Sequence, residues 1–181
     1  MPKTPDRHCV APGETIAERV RNASRRGCVV PLAEAWPGTA DEFAAWKQSQ
    51  RAVDVSDIRL IGERGGVYLY SELHMTRSYA EAAARAACED VCHAIAQTVR
   101  NDSRLYPRPT PIHIFENPPF RFSKDILDRA LRDIRDASDY ADIGFVRCSS
   151  GALYLFSSLH MNRQQAESLA EWFSVGHLQN P

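Results

Sequence analysis

The sequence predicts an α+β fold made of an internally duplicated unit, and three observations lead there. Two segments that read as β-hairpins are copies of one another. Each copy is followed by a stretch with helical spacing, and the composition is that of an ordinary globular chain. Shifting residues 65–81 by 86 positions gives ten identities in seventeen, where chance predicts about one. The first copy reads Tyr68-Leu-Tyr-Ser-Glu-Leu-His-Met-Thr-Arg77 and the second Tyr154-Leu-Phe-Ser-Ser-Leu-His-Met-Asn-Arg163. With a one-residue gap the match extends back to Asp54, Asp57 and Ile58 against Asp139, Asp142 and Ile143. The expected unit is strand–helix–hairpin–helix. Two units with pseudo-twofold symmetry would share one antiparallel sheet, with helices packed mainly on one face.

The elements follow in order. Residues 1–12 hold two prolines and lack periodicity. Gly13 to Arg26 places Ile16 and Val20 on one helical face and ends at Gly27. Residues 1–26 are therefore read as an arm with a short helix, 27–106 as the first unit and 107–181 as the second, both in one compact domain. Cys28 to Leu32 reads as a brief strand. Thr39-Ala-Asp-Glu42 has the capping-box pattern and opens a helix carrying Phe43, Trp46 and Val53. Ile58 to Glu63 and Val67 to Leu73 alternate as strands across Gly65-Gly66.

Thr76 to Arg100 carries an apolar stripe of Ala80, Ala84, Cys88, Val91, Ile95 and Val99, read as one long helix. Five prolines between Arg104 and Phe122 make that segment mainly loop, with a short strand at Ile112 to Phe115. Ser123 caps a helix with Ile126, Leu127, Ala130, Leu131 and Ile134 on one side. Its arginines and aspartates form a solvated face. Ile143 to Cys148 and Leu153 to Leu159 form the second hairpin, and Asn162 opens the final helix.

Composition bounds the function. The 181 residues carry 22 basic and 23 acidic side chains, without the basic excess a dedicated nucleic-acid binder needs, so nucleic acid is not the expected partner. No run of about 20 apolar residues suggests a membrane span. The polar beginning and five scattered cysteines point to a cytoplasmic protein with reduced thiols. Cys88 and Cys92 lie on the apolar stripe, where a thiol acts as a small hydrophobe.

Strand alternation sets Val67, Leu69, Ser71, Leu73 and Met75 on one side, with Tyr68, Tyr70, Glu72 and His74 on the other. Leu153, Leu155, Ser157, Leu159 and Met161 likewise oppose Tyr154, Phe156, Ser158 and His160. The aliphatic rows suit the helices. The rows of Tyr68, Tyr70 and His74 and of Tyr154, Phe156 and His160, with Arg77 and Arg163, are then the expected binding surface. No phosphate loop, nucleophile elbow or zinc signature appears, so the expectation is a non-catalytic accessory protein without a cofactor. Its aromatic-His face would dock a protein partner or a second copy, with a redox enzyme system one candidate because of the free thiols. The alternative is a small anionic ligand or substrate held where His74, Arg77, His160 and Arg163 converge. Met75 and Met161, each just before a helix cap, are read as structural staples.

Overall fold

The computed structural model describes residues 14–49, 55–88 and 90–179. Cys9, Val53 and Asp54 lie outside the described residues. The fold is mixed α+β, with seven α-helices and two three-stranded antiparallel sheets among the described residues. The chain divides into two compact units, Met1–Ala80 and Glu81–Pro181.

Unit 1 begins with α1 (Ile16–Arg25). Thr15 and Glu18 cap it reciprocally, the Glu18 carboxylate accepting from the Thr15 N–H at 2.9 Å. Ala17, Val20 and Ala23 repeat every three residues and face the core. Gly27, at φ +76°, ends the helix in a conformation that a side chain disfavours. Then come β1 (Val30–Pro31), the single turn α2 (Leu32–Ala35) and α3 (Ala40–Ser49), which starts from the expected Thr39–Glu42 box. The hairpin is β2 (Ile58–Glu63) and β3 (Gly66–Ser71), with sheet order β1-β3-β2. Val30, Ile58 and Leu69 pack with α1 and Phe43, and Phe43 meets Trp36 edge-on and Trp46 at a tilt, at centroid distances of 5.6 and 5.5 Å. The helix assigned to an N-terminal arm is thus part of this core.

The long helix expected over Thr76–Arg100 is two helices, α4 (Arg77–Ala86) and α5 (Val91–Leu105). Asp90 breaks the run: its side chain accepts from the His93 N–H at 2.9 Å and starts a new helix. α4 spans the division between the units.

In unit 2, α5 leads to β4 (Thr110–Pro111). The strand expected at Ile112–Phe115 is a 3-10 turn, because both adjacent prolines remove ladder donors and only Thr110 and Pro111 pair with β6. α6 (Lys124–Asp136), β5 (Ile143–Arg147), β6 (Leu153–Ser157) and α7 (Arg163–Gln179) complete the unit, with sheet order β4-β6-β5. Leu155 and Ile143 pack with Ile95, Val99, Leu127 and Ile134 of α5 and α6. Cys92 lies against this core, where burial raises the pKa of its thiol.

Two expectations need correction. The hairpins do not join one sheet; each closes with its own two-residue third strand. Helices do not keep to one face either. In unit 2, Tyr154, Phe156, Val146 and Cys148 lie beneath Ala166, Leu169, Ala170 and Phe173 of α7. The reason is geometric. The aliphatic face is already filled by α5 and α6, so the apolar stripe of α7 covers the other one.

Candidate functional site

Both hairpins end in a serine, and each serine is held by a network of polar side chains. In unit 1 the Ser71 N–H donates to Ser24 Oγ at 2.9 Å, and the Ser71 hydroxyl donates to Asp57 Oδ2. Arg21 grips the same carboxylate with two nitrogens, Nε at 3.1 Å from Oδ2 and a terminal nitrogen on Oδ1. The Asp57 carbonyl accepts from the Glu72 N–H at 3.0 Å. Asp57 is only 4% exposed. Burial pushes its carboxyl pKa up, but the hydrogen bonds from Arg21 and Ser71 outweigh it and leave the pKa below the ordinary carboxylate value.

Unit 2 holds the same set. The Ser157 N–H donates to Ser103 Oγ at 3.0 Å and its hydroxyl to Asp142 Oδ2 at 2.7 Å. Arg100 takes the Asp142 carboxylate through Nε at 3.0 Å and a terminal nitrogen at 2.5 Å. The hydrogen bond from Arg100 lowers the Asp142 pKa against the effect of burial. The Asp142 carbonyl accepts from the Ser158 N–H at 2.8 Å. Bidentate arginine–carboxylate pairs fix orientation as well as position, so each strand end is pinned just before it turns.

The turns themselves are alike. In the first, the N–H groups of His74 and Met75 both donate to the Ser71 carbonyl, at 3.2 and 3.1 Å. In the second, those of His160 and Met161 donate to the Ser157 carbonyl, both at 3.1 Å. Met75 and Met161 turn inward and are buried, and Met161 packs with Ala166 as a staple should. Thr76 and Asn162 then cap α4 and α7, accepting from the Tyr79 and Gln165 N–H groups at 3.3 and 2.8 Å. Once four residues are used this way, the tip points outward. Leu73 is 64% exposed and Leu159 67%, and His74 and His160 beside them are exposed too.

The expected binding rows therefore split. Tyr68, Tyr70, Tyr154 and Phe156 are buried, so the aromatic face is not open to a partner. His74, Arg77, His160 and Arg163 are exposed, and Arg163 pairs with Glu167 at 2.9 Å. His74 and Arg77 belong to unit 1, His160 and Arg163 to unit 2. Alternation failed at Ser71 and Ser157, where the strands end; Leu73 and Leu159, assigned to the core side, stand in solvent. Among the described residues, no three His, Cys, Asp or Glu side chains gather as a metal site.

The networks were missed, although a signal for them exists. Val20-Arg-Asn-Ala-Ser-Arg25 in α1 and Val99-Arg-Asn-Asp-Ser-Arg104 in α5 differ at one position of six. That match supplies Arg21 with Ser24 and Arg100 with Ser103, and it lies outside the hairpin alignment.

Fold and site together describe a two-unit α+β protein in which each unit braces an exposed Leu-His turn with a half-buried arginine, an aspartate and two buried serines. The chain is 32% identical over 175 residues to the Escherichia coli (strain K12) protein that bears the name uncharacterized protein YdhW, covering 94% of this chain and 81% of that protein. It belongs to the YdhW family. The family model for the YdhW C-terminal domain matches residues 89–178, a stretch that opens at α5. No solved structure matches the chain. No helix among the described residues is long and apolar enough to cross a membrane.

Proposed function

We propose that this chain is an internally duplicated, non-catalytic docking protein of the cytoplasm. It offers the turns 72–74 and 158–160 to a protein partner. Duplication is supported by the Val-Arg-Asn-x-Ser-Arg match, by the common order of helix, short strand, helix, hairpin and helix, and by the matching hydrogen bonds on Ser71 and Ser157. The observation that carries the docking reading is the exposure of Leu73 and Leu159 at corresponding positions. Leaving a leucine in water forgoes roughly 2 kcal/mol of burial, and a partly buried polar network pins the strand end beside each one. A lone exposed leucine needs no explanation. Two in the same braced turn, each beside a histidine, fit a surface kept for a partner. His74 and His160 would supply the polar rim that such surfaces carry.

The test is affinity capture from native extract with the wild-type chain and with the double variant Leu73→Asp, Leu159→Asp. Both positions are exposed, so folding stability should change by less than about 0.5 kcal/mol. The expected result is a partner retained in fixed proportion by the wild type and lost with the double variant. Equal retention by both, or no partner on the wild type, would remove the reading.

A further inference from the structure

The outer edge of β2 is a second surface, separate from the turns. β2 pairs with β3 on one side only. The register closes at Glu63 and Gly66 around a two-residue turn, so Arg59, Ile61 and Glu63 direct their main-chain groups toward β3. Leu60 and Gly62 then direct theirs outward, by the alternation of an antiparallel ladder. The Ile58 carbonyl also faces outward, but the Lys47 ammonium caps it. The open edge therefore starts after Ile58. It borders a groove of about 330 Å³ between β2 and α3, lined by Phe43, Ala44 and Leu60 among others. A Cβ added at Gly62 would meet nothing within 4 Å.

We propose that a second copy of this chain pairs antiparallel with this edge, about a twofold axis at Ile61. In that register Leu60 of each copy faces Gly62 of the other, and each such pair exchanges both N–H···O bonds. Arg59 of each copy then stands directly opposite Glu63 of the other, on one face of the joined sheet. An isologous contact needs a self-complementary surface, and β2 supplies one by carrying a cation and an anion equidistant from Ile61. Arg59 already holds Glu72, so the guanidinium would bridge two carboxylates. Gly62 brings no side chain toward the groove beside α3, leaving room for the partner strand's backbone. The corresponding edge in unit 2 lacks this pattern. β5 reads Ile-Gly-Phe-Val-Arg without an acidic residue, and Arg135 lies over the Phe145 ring at 4.9 Å. A long unpaired edge is a hazard unless it is guarded or used. β5 has Arg135 beside it; on β2 the Lys47 ammonium covers only the Ile58 end, and the rest of the edge is used.

Sedimentation equilibrium of the full chain should show a monomer–dimer equilibrium. Gly62→Pro removes the outward N–H, and an edge strand tolerates proline there; it should weaken dimerisation by roughly a hundredfold. Gly62→Ala keeps the N–H and should leave the dimer intact. Glu63→Arg sets like charges opposite each other and should weaken it by roughly tenfold. A monomeric wild type overturns the proposal, as does a dimer that Gly62→Pro and Glu63→Arg leave unchanged. If Gly62→Pro fails to fold, Glu63→Arg decides, together with hydrogen exchange at the Leu60 amide, which should slow as concentration rises. Because Leu73 and Leu159 take no part, their double variant should dimerise like the wild type, and the two surfaces can fail independently.

Discussion

Behind the sheet of unit 1 stand Trp36, Phe43 and Trp46, three rings in mutual contact. The corresponding space in unit 2 is filled by Phe115 and Phe120 with aliphatic side chains from α5 and α6. The interiors share Val20 and Val99, Ile58 and Ile143, and Leu69 and Leu155 but fill the space behind the sheet with different rings, yet both sheets end in the same serine, the same carboxylate clamp and the same outward leucine. Packing tolerates exchange among apolar groups of similar total volume. A buried carboxylate accepts no such exchange, because its charge needs particular partners. The contrast identifies the bracing network, rather than the core, as what fixes the turn.

The largest effect should come from breaking that network. Asp57→Ala removes the carboxylate that Arg21 grips with two nitrogens and the acceptor of the Ser71 hydroxyl; the expected cost is about 3 kcal/mol. Asp142 has 12% of its side chain exposed, so Asp142→Ala should cost less, about 2 kcal/mol. Urea unfolding can separate the two, since Trp36 and Trp46 report on unit 1 and Trp172 on unit 2. Equal losses would mean that burial does not set the difference. Both carboxyl pKa values are depressed by folding. Their stabilisation is therefore complete above the unfolded carboxylate pKa, near pH 4, and disappears as pH falls through the lower folded value. Neither variant should show its share of that acid sensitivity.

A smaller effect sharpens the comparison at the strand facing the pinned one. Gly144 lies opposite Phe156, and a Cβ there would meet the ring at 2.3 Å. Gly144→Ala should destabilise unit 2 by about 2 kcal/mol. The matching position in unit 1 is Arg59, opposite Tyr70, so a side chain is already accommodated and Arg59→Ala should cost under about 1 kcal/mol. Thermal melts of both variants check the pair.

The smallest effect concerns the caps that follow the turns. Asn162→Ala should cost about 1 kcal/mol and Thr76→Ala somewhat less, in line with cap bonds of 2.8 and 3.3 Å. Urea midpoints at equal slope measure the difference. A larger loss at Thr76 would show that bond length does not rank the two caps.

Much of this architecture was legible where a residue's local chemistry decides its conformation. The Thr39–Glu42 box, the Ser123 cap and the hairpin at Gly65 all rest on short-range bonds. The α4–α5 break was hidden because the apolar stripe runs on through Cys88, and periodicity outweighed the capping residue Asp90. The site was half legible. His74 and His160 lie at the exposed turns as their polarity suggests. Leu73 and Leu159 were assigned inward because alternation was extended past the serines that end the strands. Nothing in the hairpin sequence alone tells that Ser71 and Ser157 are terminal; that depends on Arg21, Ser24, Arg100 and Ser103, about 50 residues away. Only the second short match, Val-Arg-Asn-x-Ser-Arg, carries that information.

The break between α4 and α5 bears on where this chain can be divided. A fragment beginning at residue 107 would carry Asp142 and Ser157 but leave the guanidinium and hydroxyl that answer them on the discarded piece. Cutting at residue 89, where the family's C-terminal match opens, keeps donor and acceptor on one polypeptide. Dissection of the protein into halves therefore has to fall before α5, not in the proline-rich loop.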